Sequence, residues 1–150
     1  MITKKESDEK INEGWIRTWM IFEVLAINEQ ISKESLESLI GKLENDPRAK
    51  VYSKNFGEFR RVVKPIEGVD EGYSITCEVE LISKKLDNLI QIVTEYGPSA
   101  TELLEPTKLK VDVSEVQTIL NNISSLVHQY AQAGAGGIVF IKEQKEAEQE

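Results

Sequence analysis

One cysteine and one histidine in 150 residues close off most metal, disulfide and histidine-based chemistry. Cys77 has no second thiol to bridge to, and no neighbouring cation or histidine in sequence to make it reactive, so it is expected as a small buried hydrophobe. His128 has no cysteine or carboxylate cluster at ligand spacing, so it is a weak metal candidate and is expected as a surface or half-buried structural residue, and its isolation excludes schemes that need two histidines. Cations are also in short supply. Lys and Arg number 18 against 26 Asp and Glu, for a net charge of −8 and a pI near 4.9. Phosphate attraction is mostly a charge effect, so this balance argues against a general nucleic-acid binder. No apolar run approaches a membrane span, and the opening MITKKESDEKINE is too charged for a secretory segment. The glycine-rich stretch at 134–137 follows a helical pattern and precedes no Lys-Ser or Lys-Thr, so it reads as a helix stop and not as a phosphate loop. A soluble cytoplasmic protein is expected, with no cofactor, no metal and no catalytic constellation.

What is present is alternation and periodicity. Tyr73, Ile75, Cys77, Val79 and Leu81 alternate with Ser74, Thr76, Glu78 and Glu80, the period-two pattern of a strand with one dry and one wet face. Ser83 stands where a helix N-cap belongs, and Leu86, Leu89, Ile90 and Val93 supply one helical stripe that Gly97-Pro98 ends. Residues 100–104 form a further short strand. Residues 14–27 are the most apolar part, and their tryptophans, β-branched residues and Phe22 favour a central strand. Ser32 is expected to cap a second helix, with Ile31 and Leu36 as a hydrophobic staple and Leu36, Leu39, Ile40 and Leu43 as its stripe. Residues 50–64 are the least regular part, with strand character and a bulge or a break at Gly57, and 65–72 read as a turn-rich link. Asp112 and Glu115 have capping-box spacing ahead of a long stripe, Val113, Val116, Leu120, Ile123, Val127 and Tyr130. This predicts a helix over about 113–133. Residues 138–141 are a short apolar run, either a small strand or an anchor.

The resulting order is βαββαβ followed by a long helix, a ferredoxin-like split motif in an α+β domain with an antiparallel sheet. Its first and third strands are central neighbours, and these are the two best strands in the chain. Residues 1–13 are expected as a flexible tail or a frayed helical turn, 14–141 as one domain including the C-terminal helix, and 142–150 as a charged flexible tail.

Two stretches carry a family likeness: Gly14-Trp15-Ile16-Arg17, opening the first strand, and YGPSATELLEP, Tyr96 to Pro106. Both resemble a family of small, uncharacterised archaeal proteins with a ferredoxin-like core, over roughly residues 14–130. The resemblance implies the fold and carries no activity or catalytic residue with it.

Two groups of residues are candidates for function. On the wet sheet face, Trp15, Arg17, Trp19 and Glu23 are expected beside Glu78 and Glu80. Indoles on an open face call for a cover, from the last helix, from another subunit or from a ligand. Arg17 is expected to pair across strands with Glu78 or Glu80. The second group is basic: Arg48, Lys50, Lys54, Arg60, Arg61 and Lys64. Over residues 42–64 seven cations face three carboxylates, a net +4 that leaves −12 for the rest. Tyr52, Phe56 and Phe59 are interleaved, the combination that holds single-stranded nucleic acid, but the signature of an RNA-recognition module is absent. A solvated arm that balances acidic neighbours is the simpler expectation. Glu102 and Glu105 flank the end of the last strand as an unremarkable polar pair.

Three functional readings follow. The first is a non-enzymatic interaction or regulatory module that homo-oligomerises through the sheet face, the last helix or both, with another protein as a possible partner. The second, by fold analogy alone, is an ACT-like sensor that holds a small molecule at a subunit interface. The third is single-stranded RNA binding through the basic arm. An enzyme has the least support.

Overall fold

The computed structural model describes residues 1–134. The expectations for 138–141 and 142–150 lie outside the described residues. The chain divides into two units, Met1–Lys110 and a second beginning at Val111.

The first unit is a five-stranded antiparallel sheet with three helices: α1 (Lys4–Asn12), β1 (Ile16–Ala26), α2 (Glu29–Glu44), β2 (Lys50–Phe56), β3 (Arg60–Val63), β4 (Glu71–Ser83), α3 (Leu86–Tyr96) and β5 (Ala100–Glu105). The strand order is β2-β4-β1-β5, with β3 also on β4. β1 runs antiparallel to β4 from Ile16↔Ser83 to Ala26↔Tyr73, and antiparallel to β5 on its other side. The two strands joined by α3 are therefore parallel and separated by β1, which is the split βαβ arrangement, compatible with a ferredoxin-like fold. β2 and β3 pair with successive lengths of β4, residues 77–82 and 71–74, so they act as one interrupted edge. Gly57 sits in the interruption. Its N–H donates to the Thr76 carbonyl at 2.8 Å, and a Cβ there would stand 2.6 Å from Thr76 Oγ1. Only glycine allows that approach.

Alternation assigns the faces. Ile16, Met20 and Phe22 of β1 and Cys77, Val79 and Leu81 of β4 point into one buried core. Leu36, Ile40 and Leu43 of α2 and Leu89 and Ile92 of α3 close it. Cys77 is fully buried there, and burial pushes its thiol above its ordinary range, as suits a core residue.

Several local details differ from the sequence expectation. Residues 4–12 form a helix, because Thr3 and Glu6 make a reciprocal capping box: the Glu6 N–H donates to Thr3 Oγ1 at 3.1 Å and the Thr3 N–H to Glu6 Oε2 at 2.7 Å. α2 starts a turn early, since Asn28 Oδ1 accepts from the Ile31 N–H at 2.9 Å and takes the cap expected of Ser32. Ser32 is then inside the helix, donating to the Glu29 carbonyl, and Ile31 lies exposed instead of forming a staple. Ser83 remains in β4, and Lys85 occupies the N-cap of α3 without a side-chain cap bond. The buried stripe of α3 accordingly includes Ile92 in place of Ile90. Gly97 ends α3 in the left-handed region, at φ 60°, as expected.

The second unit contains α4 (Val113–Gln132). Asp112 is its N-cap, but its side chain makes no cap bond, so the expected capping box does not form. Ala133 is the C-cap and Gly134 follows at φ 73°. Among the described residues no helix is long and apolar enough to cross a membrane.

Candidate interaction surfaces

The second face of the sheet brings the first candidate group together. Across β1 and β4, Trp19 lies opposite Glu80, Ile21 opposite Glu78, and Glu23 opposite Thr76. β5 adds Glu102 opposite Trp19. Trp15 precedes β1. Its N–H donates to the Lys10 carbonyl at 3.1 Å, and the Lys10 ammonium stands 5.6 Å from the ring centroid. Both indoles are half-buried, and Lys10 of α1 is one cover for Trp15. Glu23 accepts from the Ser74 hydroxyl at 2.5 Å.

Arg17 does not pair with Glu78 or Glu80. The register sets it opposite Ile82, at the end of β1 beside α1 and the last residue of β5. Its guanidinium donates to Asp8 at 2.5 Å, to Glu105 at 2.6 Å and to the Ser7 hydroxyl at 3.3 Å. It also lies 5.0 Å from the Tyr52 ring centroid. Only 6 % of Arg17 is exposed, whereas the carboxylate side chains of Asp8 and Glu105 are 55 % and 51 % exposed. Burial opposes the charge, but the contact with Tyr52 and the hydrogen bonds to Glu105 and Asp8 outweigh it and hold the guanidinium protonated above its ordinary range. Burial raises the Tyr52 phenol in turn. One cation thus ties together α1, β1, β2 and β5. This is a structural clamp whose donors already have partners.

The basic group is dispersed and partly neutralised. Arg48 binds Asp46 and Glu95, both at 2.6 Å, and Gln91 at 3.3 Å, linking the end of α2 to α3. Tyr96 donates its hydroxyl to Asp46 at 2.8 Å. Hydrogen bonds from Arg48 hold the Asp46 carboxyl far below its ordinary range, and burial with the Asp46 bond pushes the Tyr96 phenol up to about 12. Lys54 pairs with Glu44, and Arg61 with Glu71 at 2.6 Å. Lys50, Arg60 and Lys64 are exposed. Of the interleaved aromatics, Tyr52 is under Arg17 and Phe56 packs on the core, which leaves Phe59 exposed at 36 %.

Two clefts accompany these surfaces. One, of about 240 Å³, lies between the first two residues and the end of α2, and includes Asp46, whose carboxylate is already engaged. The other, of about 160 Å³, is apolar, between Leu25–Ile27 and the Pro65–Gly72 link. Neither presents a nucleophile beside a base. Among the described residues no group of His, Cys, Asp and Glu is placed to hold a metal ion.

α4 offers the most regular surface. Val113, Val116, Leu120, Ile123, Val127 and Tyr130 follow spacings of three, four, three, four and three, and are exposed by 85, 41, 54, 42, 45 and 49 %. Strict three–four alternation is the seam of a two-helix pairing, where each side chain fits between four of the facing helix. Between Val113 and Gln132 the helix contains no Lys, Arg or Asp, and its one Glu is Glu115. Gln117, Ser124 and Ala131 flank the seam on one side, and Ile119 and Leu126 on the other. His128 lies next to Val127 off the seam, with no metal-ligand group around it among the described residues.

The described chain is thus an α+β protein with an antiparallel split-βαβ sheet and an amphipathic C-terminal helix. It belongs to the MJ0538 family, whose model matches residues 17–150. That description carries no activity, so it establishes membership and adds no chemistry. No curated protein matches the chain.

Proposed function

We propose that the chain is a non-enzymatic interaction module that assembles with further copies of itself through the seam of α4. The observation that carries this reading is the exposure of six apolar side chains in strict three–four spacing. An apolar stripe of that regularity on a water-facing helix is stable only when a partner covers it. A second copy is favoured over an unlike partner because the flanking positions are uncharged. A seam built for a charged partner would carry complementary charges there, and α4 is nearly neutral in a chain of net charge −8.

The size of the seam bounds the affinity. Full burial of a Val, Leu or Ile side chain contributes about 1.5–3 kcal/mol. These six are roughly half exposed, so two copies gain about 12 kcal/mol together. Association itself costs at least about 4 kcal/mol, so the pair holds together no more tightly than about micromolar. Light scattering over a concentration series tests the reading: mass should rise from 17.0 kDa toward its double. A constant 17.0 kDa at high concentration contradicts it. Archaeal origin and a cytoplasmic location belong to the same reading, supported by the likeness of residues 14–17 and 96–106 and by a single unpaired, buried cysteine. RNA binding has less support, since Arg48, Lys54 and Arg61 already hold carboxylates.

A further inference from the structure

We infer that the two α4 helices pair antiparallel, with the two-fold axis between Leu120 and Ile123. This rests on the self-association reading and adds its geometry. In an antiparallel pair the seam numbers mirror about the centre. Val113 meets Tyr130 of the second copy, Val116 meets Val127, and Leu120 meets Ile123. Each layer then joins side chains whose sizes offset or match: the smallest with the largest, two valines, and two four-carbon chains. A parallel pair places every residue against itself. It runs from two valines at one end to two tyrosines at the other, and such layers cannot hold one interhelical distance.

Electrostatics point the same way. Asp112 and Glu115, the acids at the start of α4, would crowd together in a parallel pair. The antiparallel pair separates them by most of the seam, about 27 Å for eighteen residues at 1.5 Å each. It also sets the helix dipoles head to tail. On one flank Gln117 lies beside Ser124 of the second copy, while Ile119 on the other is already buried within the chain and leaves Leu126 to meet the partner.

Site-directed cross-linking on the full chain tests the orientation. Val113→Cys and Tyr130→Cys replace exposed residues, so folding is preserved, and wild type with its buried Cys77 is the control. One variant carries a mass tag. Under mild oxidation the mixture of the two variants should give at least tenfold more covalent dimer than either alone. Efficient dimer from each variant alone, with no excess of the mixed species, overturns the antiparallel arrangement while leaving self-association intact. A dimer by light scattering with no cross-link in any sample overturns pairing through α4. A monomer at every concentration removes the self-association reading itself, and this inference with it.

Discussion

The guanidinium of Arg17 lies 2.6 Å from the carboxylate of Glu105, and the pair is lopsided: the cation is buried and the anion is half in water. Asp8 repeats that asymmetry on the other side, at 2.5 Å. The consequence is directional. Arg17→Met removes the buried charge and leaves two carboxylates that water solvates, so it should cost about 1–2 kcal/mol, through the lost hydrogen bonds and the contact with Tyr52. Asp8→Asn together with Glu105→Gln leaves a buried cation without counter-charges and should cost more, about 3–5 kcal/mol. Urea unfolding of the two variants checks the order. Equal or reversed losses would show that Arg17 is not the buried partner.

Acid stability should depend on Asp46. Its carboxyl is held below the ordinary value of 3.8, chiefly by hydrogen bonds from Arg48 and further by the Tyr96 hydroxyl. A depressed folded-state pKa gives stability that is fully present above the ordinary value and is lost as pH falls below it. Asp46→Asn is therefore expected to be less stable than wild type at neutral pH, by about 2 kcal/mol. Below about pH 4 the gap should begin to narrow, and it closes only as the folded-state carboxyl itself protonates. Denaturation at pH 7 and pH 2.5 measures both gaps, and a gap that widens in acid contradicts the assignment.

The interrupted edge predicts a coupled pair. Gly57→Ala introduces a Cβ 2.6 Å from Thr76 Oγ1 and should cost about 1–2 kcal/mol. In a Thr76→Ala background the obstructing atom is gone, so the same substitution should cost less than half as much. A double-mutant cycle reads the coupling. Additive losses would mean that the backbone shifts instead of clashing.

How much of this was legible depended on range along the chain. Alternation from Tyr73 to Leu81 marked β4, apolar density marked β1, and their antiparallel pairing followed from the order of elements. The three–four spacing of α4 is a sequence pattern outright, and the structure adds the exposure of each position. Local competition was harder. Asn28 and Ser32 are both capping residues one turn apart, and nothing in the sequence alone decides which one the helix uses. α1 carried a readable sign in Thr3 and Glu6 at capping-box spacing, hidden among charged residues with no apolar stripe. The clamp on Arg17 had no such sign. Glu105 is 88 positions away, and Asp8 becomes its partner only once α1 forms. Likewise the net +4 of residues 42–64 did not reveal that Arg48 reaches Glu95 on α3.

Sedimentation equilibrium of the wild type beside a Leu120→Asn, Ile123→Asn variant tests self-association through α4 most directly. Both substitutions replace half-exposed seam residues, at 54 and 42 %. The wild type should show a reversible rise from 17.0 kDa toward twice that mass across the micromolar range, while the variant stays at 17.0 kDa with an unchanged circular dichroism spectrum. A wild type that remains monomeric, or a variant that associates as the wild type does, would contradict assembly through this helix.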